Sequence, residues 1–247
     1  MDNAFWIKEI VQMATLASVA YLAGLLVVAA NVRVNYTRKI NFFAIFLVPL
    51  LLARVFHYQG SWATKAVHAF VGIGMFMLLV EPLRARVPAF GTMFRSFDRP
   101  EDRPHTLFWL SSQILTGYAV MIPMSILFAS RGISSLMFIP VLIHGIGDGL
   151  AEPVGVRWGR HTYRTRAFLD RKRTYTRSYE GSACVFLAGF FAILLFHGSF
   201  SSAQLIGALL IVPLASTLAE ARAPHTWDTP YMFLAGTASL LAVTASL

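Results

Sequence analysis

The stretch Ile10-Val-Gln-Met-Ala-Thr-Leu-Ala-Ser-Val-Ala-Tyr-Leu-Ala-Gly-Leu-Leu-Val-Val-Ala-Ala-Asn31 carries no charged side chain. As a helix rising about 1.5 Å per residue, it is long enough for the roughly 30 Å hydrocarbon core of a bilayer. It is too long, too poor in basic residues at its start and too indistinct in cleavage site to read as a secretory signal, so it reads as a membrane span. Apolar runs recur at 40–57, 66–82, 106–129, 133–154, 182–198, 202–219 and 230–247. Across the chain 56% of residues are hydrophobic, 13% are charged, and mean hydropathy is +0.60. A soluble chain carries roughly 25% charge, so an ordinary soluble domain is excluded. Disorder is excluded too, because it needs low hydrophobicity. The expected fold class is therefore all-α, a polytopic membrane helical bundle formed as a single integral-membrane domain over 1–247. Eight spans are expected, or seven if Pro140, Gly145, Gly147 and Asp148 interrupt the fifth.

The chain has 21 Lys and Arg against 12 Asp and Glu, a net charge of +9. In a soluble protein such an excess points to nucleic acid; in a membrane protein it orients the helices, and no nucleic-acid partner is expected. Seventeen of the 21 basic residues fall in the loops 32–39, 83–105, 155–181 and 220–229. Eight spans place all four loops on one face, which is then cytoplasmic, with both termini opposite. The expected location is a multi-pass integral membrane protein, in the cytoplasmic membrane if the source is bacterial. The lone cysteine, Cys184, excludes an intrachain disulfide and a multi-Cys metal site.

Orientation asks for a few basic residues per loop. It does not ask for eight within 155–181, nor for acids inside a span. In His144-Gly-Ile-Gly-Asp148-Gly-Leu-Ala-Glu152, the i, i+4 spacing puts two carboxylates on one helical face. Like charges there repel, and an ionised group in a membrane costs about 2.5–3.5 kcal/mol even on the lenient insertion scale. A divalent cation offsets both costs. Mg²⁺ suits one or two carboxylates completed by phosphate oxygens and water, so Asp148 and Glu152 are the candidate metal ligands. Next come Gly155, Arg157, Gly159 and Arg160, then Arg177-Ser178-Tyr-Glu180-Gly181-Ser182 at the start of the next span. Glycines admit close approach of a ligand, arginines present planar forks to phosphate, and a helix start offers unpaired N–H groups. Together they describe a polyphosphate cradle; the bland alternative is a solvated basic loop touching lipid headgroups.

The same residues carry a resemblance. Gly147-Asp148, then Gly155-Val-Arg157-Trp-Gly159-Arg160, then Arg177-Ser178-Tyr-Glu180-Gly181-Ser182 resemble the signature of the CTP-dependent polyprenol kinases, the phytol kinase and dolichol kinase group within the wider CTP-transferase family. Arg38-Lys39-Ile40 resembles the family's early Arg-Lys-Ile-x-His, and Glu220 with Asp228 its late Glu…Asp-Asn. The departures are Arg177 for lysine, Thr229 for asparagine, Phe42 at the early histidine, and Thr162 where a lysine is expected. The resemblance implies a membrane kinase that moves a phosphoryl group from CTP, with Mg²⁺, to a long-chain isoprenoid alcohol. Phytol, geranylgeraniol and polyprenols fit that description. Asp148 and Asp228 are then the candidate catalytic carboxylates. Gly147, Gly155, Arg157, Gly159, Arg160, Arg177, Ser178, Glu180, Gly181 and Ser182 are the candidate nucleotide contacts, with Arg38, Lys39 and Glu220 in addition. The expected partners are membrane lipids, the lipid alcohol and the nucleoside triphosphate.

Three readings compete. A phosphatidate cytidylyltransferase-like enzyme or a diacylglycerol kinase belongs to the same wider family, but the cytidylyltransferases' C-terminal Pro-Gly-His-Gly-Gly is replaced here by Ala223-Pro-His-Thr-Trp-Asp228. A small transporter also uses intramembrane acids and broken helices, but should place polar residues at mid-membrane in several spans. His144 reads as a histidine packed between helices, and His57, His68 and His197 as interfacial. Asp98-Arg-Pro-Glu101-Asp102-Arg103 reads as a solvated connector.

Overall fold

The computed structural model describes residues 3–56, 61–166, 174–225 and 227–246, without the side chains of Ala53 and Ser246. His57 and three of the loop cations, Arg171, Lys172 and Arg173, lie outside the described residues. The chain divides into two compact units, Met1–Leu115 and Thr116–Leu247.

The first unit holds α1 (Asn3–Ala30), α2 (Val34–Val55), α3 (Trp62–Met77), α4 (Glu81–Arg86) and α5 (Pro88–Arg95), and the start of α6 (Thr106–Ser130). Its core gathers Ala20, Phe76, Leu79, Met93, Phe94 and Phe97. Ser61 opens α3 through a capping box with Thr64, a device that satisfies two otherwise orphaned N–H groups. The Asp98–Arg103 segment is not the solvated connector expected. Asp102 is buried and accepts from Arg99 Nε at 2.7 Å and Arg38 Nη1 at 3.5 Å. His68 is likewise paired, with Nδ1 2.9 Å from a buried Glu9 Oε1 that Lys8 also contacts.

The second unit continues α6, then runs through α7 (Phe138–Leu142), a π-helical turn (Ile143–Asp148) and α8 (Gly149–Trp158). A hairpin follows, β1 (Thr162–Arg166) and β2 (Thr174–Ser178), antiparallel with Tyr163 opposite Arg177 and Thr165 opposite Tyr175. It ends in α9 (Tyr179–Leu195), α10 (Ser202–Arg222) and α11 (Asp228–Ser246). The core of this unit centres on Phe128, Ile139, Ile143, Val185, Ile193, Val212, Met232 and Leu240. Ser201 with Gln204 forms the capping box of α10, and Ser178 caps α9 by accepting from Gly181 N at 3.1 Å. Such caps contribute about 1 kcal/mol each.

Two expectations are corrected. The hairpin makes the fold predominantly rather than wholly α. Among the described residues four helices, not eight, are long and apolar enough to cross a membrane: Asn3–Ala30, Thr106–Ser130, Ser134–Trp158 (counting through the π-helical turn) and Ser202–Arg222. Among the described residues each of the other four apolar runs overlaps a helix, but these helices fall short for physical reasons. At 16 and 17 residues, α3 and α9 reach only about 24–26 Å, short of the core thickness. Arg38, Lys39 and Arg54 lie within α2, and α11 is diluted by Thr229, Gly236, Thr237, Ser239 and Thr244. The outer faces of the long helices remain apolar: α10 exposes Ile206, Leu210, Leu214 and Leu218, with Leu210 67% exposed. A soluble protein does not leave such a stripe to water, and the chain is a helical membrane protein.

Candidate functional site

The chemistry gathers at one end of the second unit, where α9 and α11 begin and α10 ends. Arg177, the next-to-last residue of β2, is drawn inward by strand alternation. Its Nη1 donates to Glu220 Oε1 at 2.8 Å and also to the Glu220 carbonyl; its Nη2 reaches Asp228 Oδ2 at 3.4 Å. Burial alone would lower the guanidinium's affinity for its proton, but the carboxylates of Glu220, Asp228 and Asp148 outweigh it and hold the charge more firmly than in water. Glu220 is buried, and its second oxygen accepts from Ser182 Oγ at 2.9 Å. Tyr163 OH lies 2.7 Å from the same Ser182 oxygen. Burial, then the Glu220 charge, push the Tyr163 hydroxyl above its ordinary pKa, so it stays protonated.

Asp148 ends the π-helical turn and is buried. Wide turns of this kind concentrate at functional sites. Beside it, His144 Nε2 lies 3.0 Å from Thr229 Oγ1, and its ring meets Phe233 edge-on, which is the interhelical packing expected. Glu152 is half-buried one turn beyond Asp148 in α8. Among the described residues no three His, Cys, Asp or Glu side chains converge as a metal cage. The donor set fits only a cation that takes one or two protein carboxylates and draws its other ligands from phosphate and water, which is the habit of Mg²⁺.

The turn between α8 and β1 packs onto the start of α9. Arg160 N and His161 N donate to Glu180 Oε1 at 3.1 and 3.2 Å, and His161 Nδ1 lies 2.9 Å from it. These N–H groups thus hold this chain's own carboxylate. Close approach here is chain against chain: a Cβ at Gly159 would stand 2.8 Å from Ser178 Cβ, and one at Gly181 2.6 Å from the Ala151 carbonyl oxygen. Gly147 and Gly155 sit against α9 and Ser178 in the same way. Arg157 is exposed, with its guanidinium over the Trp158 ring, and Arg160 is exposed.

The structure therefore brings together Asp148, Arg177, Ser178, Glu180, Gly181, Ser182, Glu220 and Asp228. Arg177 meets carboxylates, where the sequence reading expects phosphate. Arg38 and Lys39 belong to the first unit, where Arg38 pairs with Asp102 and a buried Lys39 stands over the Phe42 ring. Tyr163 and His161 escape the sequence reading, although the alternation Thr162-Tyr-Arg-Thr-Arg166 opposite Thr174-Tyr-Thr-Arg-Ser178 carries a hairpin signal.

Glu180 gives a pH test. Its own backbone N–H, then the His161 ring and the N–H groups of Arg160 and His161, pull its pKa from 4.5 down to about 2. A depressed carboxylate stabilises the fold fully above its unfolded pKa and loses that contribution as pH falls through the folded one. Thermal stability attributable to Glu180 should therefore be flat from pH 7 to about 5 and decline from about 4.5 toward 2. Glu180→Gln should melt lower at pH 7 and show a shallower acid limb, read by thermal unfolding across that range.

A phytol kinase from Synechocystis sp. is 38% identical to this chain over 69 residues, 28% of this chain and 27% of that protein. The match thus covers about a quarter of its curated relative. No family model and no solved structure matches the chain. The likeness is to a phytol kinase-like group, over one segment.

Proposed function

We propose that this protein is a membrane lipid kinase that transfers the terminal phosphoryl group of a nucleoside triphosphate, CTP in the family it resembles, to a long-chain isoprenoid alcohol. One observation carries the reading: buried Asp148, at the π-helical turn within the Ser134–Trp158 helix, and buried Glu220 cluster with half-buried Arg177 and Asp228 where α9 and α11 begin and α10 ends. Mid-membrane polar sites in several helices would favour a transporter; Arg177, Glu220 and Asp228 at the ends of their elements favour chemistry at the membrane surface. The partial likeness to phytol kinase supports the same class.

In the transfer, the lipid hydroxyl oxygen forms a bond to the terminal phosphorus. The bond from that phosphorus to the bridging oxygen breaks, and the nucleoside diphosphate leaves. The hydroxyl proton passes to a carboxylate, with Asp148 or Asp228 in position to orient the hydroxyl. Such transfer needs positioning and charge neutralisation rather than covalent catalysis. Bound Mg²⁺, held by Asp148 with Glu152, would neutralise charge on the phosphates. Arg177 holds the Glu220 and Asp228 carboxylates in place. Protein purified in detergent and given CTP, ATP or GTP with Mg²⁺ and a panel of phytol, geranylgeraniol, polyprenol and diacylglycerol should phosphorylate an isoprenoid alcohol with CTP preferred. Phosphorylation of diacylglycerol alone, or of none, overturns the reading.

The most basic loop, 155–181, belongs on the cytoplasmic side. With Cys184 replaced by alanine, single cysteines at Arg131 and Thr162, beyond opposite ends of the Ser134–Trp158 helix and both exposed, should react with an impermeant maleimide from opposite sides of the membrane. Labelling of both from one side contradicts this orientation.

A further inference from the structure

Three arginines in the second unit have no part in the cluster described above. Arg164 and Arg166 on β1 and Arg222 in the last turn of α10 are all exposed, and among the described residues none has a carboxylate partner. They line one open cleft of about 1040 Å³ with Tyr163, Thr165 and Leu218. Three guanidinium groups without carboxylates, lining one cleft, fit a site for phosphoryl oxygens. The cleft is also tied to the reacting end: Ser182, which donates to Glu220, lies in its wall.

The apolar side of the cleft identifies what carries the phosphate. Ile206, Leu210, Leu214 and Leu218 repeat every four residues along α10 and are all exposed, so they form one stripe. The next position in that series is Arg222 itself. An apolar track therefore runs along the helix and ends in a cationic cleft, matching a long hydrocarbon chain with a phosphate at one end.

We propose that Arg164, Arg166 and Arg222 form a phosphoryl-binding site for a lipid phosphomonoester whose chain lies along the α10 stripe. The inference rests on the kinase reading only in that such a molecule is the product of that reaction; the site itself follows from the unpaired arginines and the stripe. It moves the phosphate contacts away from Arg177, whose charge is already taken by Glu220 and Asp228. A phosphate ester of an apolar chain and a free polyphosphate share the same oxygens, and the test separates them.

The full chain in maltoside micelles is titrated by calorimetry with hexadecyl phosphate, hexadecanol, ethyl phosphate and inorganic triphosphate. Hexadecyl phosphate should bind saturably and at least tenfold more tightly than the other three. The combined substitution R164Q/R166Q/R222Q should weaken it at least tenfold with an unchanged melting temperature. If that variant melts early, Arg222→Gln alone, at an exposed helix end, should weaken binding about threefold or more. Leu214→Asn should weaken hexadecyl phosphate but not ethyl phosphate. Equal affinity in the arginine variants overturns the site. Equal or tighter binding of triphosphate assigns the cleft to a free polyphosphate and overturns the lipid assignment, and equal binding of hexadecanol removes the phosphate from the recognition. Phosphate binding lost in the variants of a chain that phosphorylates no alcohol leaves this site standing and removes the kinase reading. Lipid phosphorylation with unaltered binding does the reverse.

Discussion

Arg177→Met should lower stability by about 3–5 kcal/mol, the usual cost of removing one partner from a buried ion pair. The methionine fills similar space but leaves the buried Glu220 carboxylate facing Asp228 without the guanidinium between them. Arg177→Lys should fall between, because a single ammonium cannot reproduce a fork that reaches two carboxylates. Adding Glu220→Gln to Arg177→Met should recover part of the loss, since the second change removes the stranded charge. Thermal unfolding of the detergent-solubilised variants, followed by tryptophan fluorescence, checks all three. An Arg177→Met protein that melts like the wild type but binds triphosphate weakly would return this residue to the role of phosphate ligand.

Asp148→Asn should reduce phosphoryl transfer by about 10²-fold or more, the scale associated with loss of one group that stabilises a transition state. Its fold should survive. Three carboxylates surround one guanidinium, so neutralising Asp148 relieves repulsion, and asparagine keeps the side chain's shape. The melting temperature should hold or rise while the rate collapses. Transfer rate and melting curve on the same preparation separate the outcomes, and near-normal turnover removes Asp148 from the reacting centre.

Much of the architecture is legible in the chain because a membrane span needs only length and low charge. Each apolar run, from Ile10–Asn31 to 230–247, lies within or largely overlaps a helix. Hydropathy does not register how far a helix falls short of the bilayer, so α3 and α9 count as spans until their ends are seen. The hairpin is hidden by its arginines: Arg164 and Arg166 read as loop charge, although Tyr163, Thr165 and Tyr175 alternate with them. Within the site, the 147–182 motif marks the right neighbourhood. The partners of Arg177 lie 43 and 51 residues away, and local spacing carries no information on which acids fold back onto a given arginine. The burial of Asp102 escapes for the same reason, since its Arg38 partner is 64 residues distant.

The terminal phosphoryl group, and not the nucleotidyl group, should move to an alcohol. The purified chain, with Mg²⁺ and phytol or geranylgeraniol, is given CTP labelled either at the terminal phosphorus or at the phosphorus next to the ribose. Terminal label should appear in the lipid fraction as a phosphomonoester, ribose-proximal label should stay in cytidine diphosphate, and Asp148→Asn should abolish the lipid label. Ribose-proximal label in the lipid with release of pyrophosphate, or no lipid label from either nucleotide, would contradict phosphoryl transfer.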